Sequence, residues 1–350
     1  MSRRLSADRI SRRSLLKRAA VVGATLAAAQ TTRNVSAAGR GFRPSEQHPL
    51  RNGQQIGAYS IWYLEYARAP QFPVSGLLYG AHNRGTLEVP FTYTVIKGGG
   101  TVALVDVGFR TGRGFELGVS FGVDPDTYET PEQVLAKIGL SPADVEHIFI
   151  GHAHFDHFDN LPAFPRAQVY IQEREVSTWT EALRVPKHLG WIIGAMNPED
   201  IMDAMQLSSQ GRLTLVNGEM LDVLPGISIH PAHDTHTFGS QYLTVTTQTA
   251  AGDIQVWALM SDAIYTYANV EGDPQYNLTP GVYVPIGYAQ GNQVTQLRIM
   301  DEAVQRVGGN TNRIVPGHDA KVFERYPSKR IGPNRVAELT LAPGEASRIS

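Results

Sequence analysis

Runs of β-branched and aromatic residues, separated by glycine-rich or polar turns, recur along the middle of the chain and predict a strand-rich fold. The clearest example is a hairpin, in which residues 91–96 and 101–106 flank the turn Lys97-Gly98-Gly99-Gly100. Further strands are predicted at residues 59–66, 148–150, 167–171, 213–216, 227–229, 242–247, 254–260 and 313–315.

Helical patterns alternate with these strands. Residues 131–138 form a predicted helix, with Thr130 as its N-cap and Gly139 as its stop. Another helix is predicted at residues 294–307. Strands followed by helices favour an α/β fold in which two sheets pack together and helices lie outside them.

Residues 173–211 have a mostly helical pattern and carry several large apolar side chains, among them Trp179 and Trp191. The pattern favours packing of these side chains in the core. The alternative is an insertion that covers a functional site with an apolar wall.

The first 38 residues differ from the rest of the chain. They contain eight of the 31 basic side chains but only one acidic side chain, Asp8, and residues 19–29 are apolar. A basic start, a short apolar middle and small residues at 35–38 predict a secretory signal, and Arg12-Arg13 before Leu15-Leu16-Lys17 resembles a twin-arginine signal. The apolar stretch is far shorter than the roughly 20 residues of a membrane-spanning helix. The alternative is a basic arm that is amphipathic or disordered.

This pattern predicts the domain organisation and the location of the protein. We expect residues 1–38 to be a signal peptide, residues 39–56 a flexible lead-in, residues 57–330 one folded domain and residues 331–350 a peripheral tail. The expected partner is the twin-arginine export machinery, and the expected location is the periplasm or the outside of the cell.

Composition narrows the chemistry. The chain of 350 residues is 42% hydrophobic, has a formal net charge of −2 and contains no cysteine. Loss of the basic signal would leave an acidic chain, which argues against nucleic acid or an anionic membrane surface as a partner. Any metal site must therefore be built from histidine and carboxylate side chains rather than from thiolates.

A dense group of candidate metal ligands follows the predicted strand at 148–150. Gly151-His152-Ala153-His154-Phe155-Asp156-His157 places three histidines and one aspartate within six residues. A strand that runs into a tight turn can aim these side chains into one cleft, and divalent metals such as zinc accept both ligand types. The four side chains can hold one metal, or half of the ligands of each of two metals. The alternative is a surface cluster, or buried histidines satisfied by hydrogen bonds.

Polar residues of the same types follow other predicted strands. They lie in Asp106-Val107-Gly108, His230-Pro231-Ala232-His233-Asp234-Thr235-His236-Thr237-Phe238-Gly239-Ser240, Ser261-Asp262 and Pro316-Gly317-His318-Asp319. In layered α/β folds, functional sites collect where strands end, so these segments are candidates for one common site.

The order of these motifs resembles the five motifs of the metallo-β-lactamase superfamily, over roughly residues 91–320. The resemblance implies an αββα sandwich with two metals at the edges of its sheets. It implies that one metal is bound by His152, His154 and His236, the other by Asp156, His157 and His318, that Asp262 bridges both metals, and that Asp106 orients a ligand histidine.

The third histidine of the first metal has competitors in His230 and His233. His236 is favoured because His236-Thr237-Phe238-Gly239-Ser240 best matches the superfamily's His-Thr-Pro-Gly-Ser, although Phe238 replaces the usual proline. His233 is the main alternative.

Two metals a few ångströms apart can share one bridging hydroxide, because binding to a metal lowers the pKa of water to about 7. Asp156 is the candidate to hold or shuttle the proton. Tyr265 lies three residues after Asp262, in a stretch that resembles the N-acyl-homoserine lactonase branch, and is the candidate donor to the tetrahedral oxyanion. The alternative for Tyr265 is a packed side chain whose hydroxyl is satisfied within the fold.

The resemblance thus implies an exported two-metal hydrolase that opens N-acyl-homoserine lactone or related ester rings, with two divalent ions, zinc being expected and iron, manganese and cobalt remaining open. The alternatives are a thioesterase, a broad esterase or a phosphodiesterase with the same metals. A further alternative is a non-catalytic binding protein on the same fold.

Overall fold

Two β-sheets that pack against each other form the centre of the protein, in a computed structural model that describes residues 53–350. The strands are β1 (Tyr59–Pro73), β2 (Thr86–Gly98), β3 (Thr101–Val105), β4 (His147–Phe149), β5 (Gln168–Gln172), β6 (Leu213–Val216), β7 (Met220–Leu224), β8 (Ile227–Pro231), β9 (Gln241–Gln248), β10 (Ile254–Leu259), β11 (Ile314–Val315), β12 (Ser328–Ile331) and β13 (Asn334–Thr340). One sheet has eight strands in the order β12-β13-β1-β2-β3-β4-β5-β6, and the other has five in the order β11-β10-β9-β8-β7. This arrangement confirms the predicted αββα sandwich.

Helices connect and cover the sheets. The α-helices are α1 (Val74–Leu77), α2 (Arg113–Ser120), α3 (Pro131–Ala136), α4 (Phe155–Phe158), α5 (Glu173–Ala182), α6 (Pro198–Ser209), α7 (Ala268–Glu271), α8 (Gln293–Arg306) and α9 (Val322–Arg325). Short 3-10 helices lie at Pro125–Thr127, Pro142–Asp144, Leu161–Ala163, Lys187–Ile193, Ser261–Ala263, Pro274–Tyr276 and Thr311–Arg313. Within residues 53–350, no helix is both long enough and apolar enough to cross a membrane.

The alternation of side chains along β1 shows how the two layers of core arise. Tyr59, Ile61 and Tyr63 point into a cluster shared by the two sheets, whereas Trp62 and Leu64 point into the cluster that the sheet forms with the helices. Because both faces are covered, residues 61–64 of the strand are all apolar rather than alternately polar. All five side chains are almost completely buried.

Most predicted elements are present, with changed ends. The strand predicted at 59–66 continues to Pro73, and the hairpin forms with Gly98 still paired to Thr101. The helix predicted at 131–138 ends its regular part at Ala136.

The prediction that residues 331–350 form a peripheral tail is wrong. Asn334–Thr340 is strand β13, which pairs with β1 on one side and β12 on the other. Val336 and Ala337 are fully buried. Pairing across more than 250 positions of sequence placed this strand inside the sheet, and no local pattern reports such a pairing.

The signal peptide predicted at 1–38 and the lead-in up to residue 52 lie outside the described residues.

Candidate metal centre

The candidate ligands meet because they follow strands that end at one side of the two sheets. In the larger sheet, β3 and β4 run parallel, and Asp106 and the His152–His157 motif follow them directly. In the smaller sheet, β10 and β11 run parallel, and Asp262 and His318 follow them. His236 lies in the loop after β8. Both sheets therefore contribute side chains to one cleft.

The first ligand group consists of His152, His154 and His236, which are buried and have ligand atoms within 4.8 Å of one another. Nε2 of His236 lies 2.8 Å from Nδ1 of His154. The structure thus brings the favoured histidine, His236, to this group.

The two competing histidines lie elsewhere. Nε2 of His233 is 3.1 Å from Oε1 of Gln172. His230 is fully buried between Glu219 and Thr244, with ring nitrogens 2.8 Å from an oxygen of each.

The second ligand group consists of Asp156, His157 and His318, again buried and within 4.8 Å. Oδ2 of Asp156 is 3.3 Å from Nε2 of His157 and 3.5 Å from Nε2 of His318.

Asp262 lies between the two groups. Its Oδ2 is 3.3 Å from Nε2 of His236 and 3.7 Å from Nε2 of His152, whereas its Oδ1 is 3.1 Å from Nε2 of His318. Its Oδ2 also lies 3.3 Å from Nε2 of His157, in the second group. One carboxylate therefore contacts ligand nitrogens of both groups, as a bridging ligand would.

Several of these atoms are buried without a hydrogen-bond partner, namely Nε2 of His152, Nε2 of His157 and Oδ1 of Asp262. A buried polar atom left unpaired costs about 1–3 kcal/mol, so such a concentration of unpaired atoms points to a missing ligand. Imidazole nitrogens and carboxylate oxygens suit zinc and other divalent cations. The residues present fit a pair of such cations.

The ligand rings are oriented by hydrogen bonds at their other nitrogen. Nδ1 of His157 lies 2.8 Å from Oδ2 of Asp106. Nδ1 of His318 is 2.9 Å from the carbonyl oxygen of Pro90, and Nδ1 of His236 is 2.9 Å from that of Tyr288. Each contact places a hydrogen on Nδ1 and leaves Nε2 free to bind a metal.

Asp106 was predicted to orient a ligand histidine, and its contacts with His157 place it there. Its carboxylate also accepts hydrogen bonds from the backbone N–H of Gly151 at 2.7 Å and the hydroxyl of Ser261 at 2.7 Å. These bonds tie together segments that follow β3, β4 and β10.

The electrostatics of the centre divide its histidines into two kinds. Burial opposes protonation of His157 and His318, but the carboxylates of Asp262 and Asp156 outweigh it and raise the pKa of both rings above the ordinary value. Burial and the neighbouring imidazoles lower the pKa of His152 and His154 well below the ordinary value, so both rings are neutral and ready to bind a metal. Burial opposes ionisation of Asp262, but the imidazoles of His157 and His318 lower its pKa well below the ordinary range.

The backbone is strained where the strands enter the site. Asp106 has φ of 64° and Ser261 has φ of 45°, conformations that are uncommon for residues other than glycine. Gly317 approaches so closely that a Cβ there would lie 2.5 Å from Oδ1 of Asp262. The turns that deliver Asp106, Asp262 and His318 are therefore restricted in both conformation and side-chain size.

A cavity of about 280 Å³ opens onto the ligand groups. Its walls are mainly apolar and include Phe72, Phe121, Trp191 and Tyr288. Among the described residues that line it there is no lysine or arginine. The cavity therefore suits a neutral substrate with an apolar part.

Tyr265 lines this cavity and is buried beside the first ligand group. Its hydroxyl donates to the carbonyl oxygen of Tyr288 at 3.1 Å and lies 3.2 Å from Nδ1 of His236. Burial and the carboxylate of Asp262 raise the pKa of Tyr265 well above its ordinary value. The phenol therefore stays protonated and can act as a hydrogen-bond donor. Its predicted role at an oxyanion stays a prediction.

Sequence reasoning missed two contributors to the site. Tyr288 contributes a backbone carbonyl, which residue type does not reveal. Glu175 is fully buried on α5, with Val176, Trp179 and Ala182 on the same buried side. A carboxylate within a helical apolar stripe was the signal that could have found Glu175.

The mostly helical region at 173–211 was expected either to pack in the core or to form an apolar wall over the site, and it does both. Trp179 is fully buried, as core packing requires, whereas Trp191 is 66% exposed and lines the cavity. The apolar wall that was the less favoured alternative is therefore present at Trp191.

Comparison with known families gives one match, to the metallo-beta-lactamase superfamily, over residues 89–318 and thus well over half of the chain. No curated protein matches the chain.

Several solved structures have a similar fold. A quorum-quenching N-acyl homoserine lactone lactonase has a TM-score of 0.55 and 19% identity, over 80% of this chain and 99% of that one. An N-acyl homoserine lactone hydrolase, with N-hexanoyl-L-homoserine bound at its catalytic metal centre, has a TM-score of 0.54 and 20% identity, over 80% and 98%. AidC, a dizinc quorum-quenching lactonase with a product bound, has a TM-score of 0.51 and 15% identity, over 80% and 94%. At these identities the similarity is one of fold.

Proposed function

The chain belongs to the metallo-β-lactamase superfamily and is a metal-dependent hydrolase of that superfamily, and we propose that its substrates are N-acyl-homoserine lactones or related cyclic esters. The observation that carries the proposal is the position of Asp262 between two complete ligand groups, directly below an apolar cavity that Tyr265 lines. Lactonases among the similar structures support the same substrate class.

The proposed metal content is two divalent ions, with zinc as the proposed element. His152, His154 and His236 would hold one ion, and Asp156, His157 and His318 the other, with Asp262 shared between them. When bound, the ions supply a Lewis acid for the carbonyl oxygen and lower the pKa of water to about 7.

The protein's own side chains supply the remaining chemistry. Asp156 lines the cavity, and in the proposed reaction it takes the proton that water releases when it attacks the ester carbon. Tyr265, held protonated by its surroundings, would turn its hydroxyl from the carbonyl oxygen of Tyr288 to donate to the oxygen that becomes negative in the tetrahedral intermediate. Phe72, Phe121 and Trp191 exclude water and accommodate an apolar chain.

The cavity distinguishes this proposal from the main alternatives. A phosphodiester or an acidic thioester would be bound better by a wall that contains a cation. The described cavity wall has none, and a neutral lactone needs none.

We also propose that the protein is exported by the twin-arginine machinery to the periplasm or beyond, on the basis of Arg12-Arg13 and the apolar stretch that follows. Replacing both arginines by lysine should keep the full-length chain in the cytoplasm, and unchanged export of that variant would exclude this route.

The test of the substrate class is ring opening of a homoserine-lactone panel by the metal-analysed protein, beside Asp262→Ala. We expect turnover that requires two metal equivalents. The turnover of the variant should fall by more than about 100-fold, because the loss of a residue that only contacts a metal ligand already lowers metal affinity or activity by about 10–100-fold. A fully metallated protein that opens no lactone would refute the substrate class, and thioesters and phosphodiesters would be tested next.

A further inference from the structure

Glu175, in the first turn of α5, joins the two loops that carry the first ligand group, although it lies outside every motif of that group. It is fully buried, and its carboxylate accepts hydrogen bonds from both loops. We propose that Glu175 is a positioning residue, which holds these loops at the separation that lets His152, His154 and His236 bind one metal.

On the side of the first loop, the contact lies between two ligands. The backbone N–H of Ala153 donates to Oε1 of Glu175 at 2.9 Å. Ala153 separates His152 from His154, so this bond fixes the backbone from which both rings project. A shift of the carboxylate would move two of the three ligands together.

On the side of the second loop, two groups that follow His236 bind the same carboxylate. The hydroxyl of Thr237 donates to Glu175 at 2.8 Å from Oε1 and 2.9 Å from Oε2. The backbone N–H of Gly239 donates to Oε2 at 2.6 Å. The Thr-x-Gly part of this motif thus has a direct physical partner in Glu175.

The close approach of the second loop to α5 is an independent sign of the same arrangement. A Cβ on Gly239 would lie 2.3 Å from the backbone nitrogen of Glu175. Only glycine allows this contact between backbones.

Trp179 extends the arrangement by one helical turn. Its indole Nε1 donates to Oε1 of Glu175 at 2.8 Å, and its ring centroid lies 5.5 Å from that of His154. Glu175 and Trp179 together support His154 from the side away from the cavity.

Glutamine cannot replace this carboxylate without loss. All the partners of Glu175 are donors, and a carboxylate is an acceptor at both oxygens. A glutamine would replace one of these oxygens by an NH₂ group, which would face the buried donor that the oxygen had bound. Because the two loops follow strands of different sheets, their separation depends on such cross-connections. Gln241 also joins the sheets, by donating to the carbonyl oxygen of Gly151, but its bond lies at the base of the loops.

The second ligand group has separate supports. The hydroxyl of Tyr66 donates to the carbonyl oxygen of Asp156 at 2.9 Å, Asp106 holds His157 at 2.8 Å, and the carbonyl oxygen of Pro90 holds His318. A change at Glu175 should therefore weaken one metal-binding step and leave the other unchanged. This inference rests on the two-metal site of the proposed function, but not on its substrate.

The test compares the wild type with Glu175→Gln, Thr237→Val and a control, Glu65→Gln. Glu65, on β1, is an equally buried carboxylate that binds Arg68 of the same strand and Arg335 of β13. Each full-length, metal-free protein is titrated with Co²⁺ against a competing chelator, and the visible absorption of each binding step is followed together with Tm.

We expect Glu175→Gln to weaken one of the two steps by about 10–100-fold, the usual effect of losing a partner of a ligand. Thr237→Val, which keeps the carboxylate and removes one donor, should weaken the same step by less. Glu65→Gln should lower Tm and leave both steps as in the wild type.

If both Co²⁺-binding steps of Glu175→Gln are as in the wild type and only Tm is lower, the role of Glu175 is structural only and the inference is overturned. If Glu175→Gln does not fold, the Thr237→Val variant tests the inference in its place. Two Co²⁺-binding steps that are unchanged from the wild type in Thr237→Val would also overturn the inference. A wild type that binds fewer than two Co²⁺ would contradict the proposed function instead.

Discussion

At the scale of single residues, the site depends on which nitrogen of each histidine is free. His236 and His318 each turn Nδ1 to a backbone carbonyl and Nε2 to the ligand groups. His154 is reversed, with Nδ1 facing His236 and Nε2 facing Gln290 at 3.4 Å. Such contacts fix the tautomer and the ring plane before any metal binds.

A first prediction at this scale concerns Tyr265. Tyr265→Phe removes the hydroxyl that lies 3.2 Å from Nδ1 of His236 and keeps the ring in place. Loss of one oxyanion donor costs about 10²–10³ in kcat, so we expect a fall of that size with two metal equivalents still bound. The measurement is kcat and KM on a lactone, with metal analysis of the same sample.

Because the pKa of Tyr265 is raised well above its ordinary value, the hydroxyl should remain a donor over the whole neutral range. Activity should therefore not be lost there through its ionisation. A Tyr265→Phe variant with wild-type kcat would show that the hydroxyl only packs.

At the scale of elements, the helical segment made of α5, the 3-10 helix Lys187–Ile193 and α6 is hydrogen-bonded to the metal motif and to the residues that follow it. The backbone N–H of Phe155 donates to the carbonyl oxygen of Ala195 at 2.9 Å. The amide of Asn197 donates to Asp159 at 3.0 Å. The helical segment thereby holds Trp191 at the cavity.

The position of Trp191 predicts an effect on chain length. Trp191→Ala should lower kcat/KM for a long-chain acyl substrate by about 10-fold, within the range expected for losing apolar contact with a substrate, and should change a short-chain substrate little. Met202→Ala is the matched control, because Met202 is 69% exposed and is not among the residues that line the cavity. Equal losses for both chain lengths would mean that Trp191 does not contact the acyl chain.

A second prediction for the helical segment concerns Asp200 on α6. Burial, followed by the nearby Asp159 and Asp203 and opposed by Arg110, raises the pKa of Asp200 to about 10. The folded protein thus holds a proton that the unfolded chain releases near the ordinary value of 3.8. The stabilisation from this proton is complete below that value and is lost as the pH rises toward 10.

Asp200→Asn keeps the shape and removes the titration. We expect its Tm to fall less than that of the wild type between about pH 6 and pH 9, with Asp253→Asn, an exposed aspartate, behaving as the wild type. Thermal melts at several pH values measure the difference. Parallel curves for the wild type and Asp200→Asn would refute a buried, protonated Asp200.

At the scale of the whole molecule, the metals would add a connection between two sheets that also contact each other through apolar packing and through hydrogen bonds such as that of Gln241 to Gly151. The first ligand group takes His152 and His154 from the loop after β4, in one sheet, and His236 from the loop after β8, in the other. Bound metal therefore contributes to the stability of the whole fold as well as to catalysis.

Metal removal should accordingly destabilise the protein. Metal that binds only the folded state stabilises it by about 2.7 kcal/mol at 100 times its Kd, so chelation should lower Tm and metal return should restore it. Protons compete with the metal for the ligand histidines, so the protein should lose its metal as the pH drops below about 6. A Tm that does not change on chelation, in a protein shown to lose its metal, would mean that packing and hydrogen bonds hold the site without a contribution from the metal.

The sequence by itself determined the chemistry and most of the elements. The four candidate ligands at 152–157 lie within six residues, so their types and spacing already indicate a metal site. Strands such as β9 and β10 follow from local apolar runs. Such features depend on residues a few positions apart, and their physical causes act over the same distance.

Only the tertiary structure decided what depends on distant contacts. It selected His236 over His233, because the loop after β8 turns His236 alone toward His154. It inserted β13 between β1 and β12 through pairing across most of the chain. It revealed Glu175 and the carbonyl of Tyr288, since one acts through partners up to 64 positions away and the other through a backbone atom that every residue possesses.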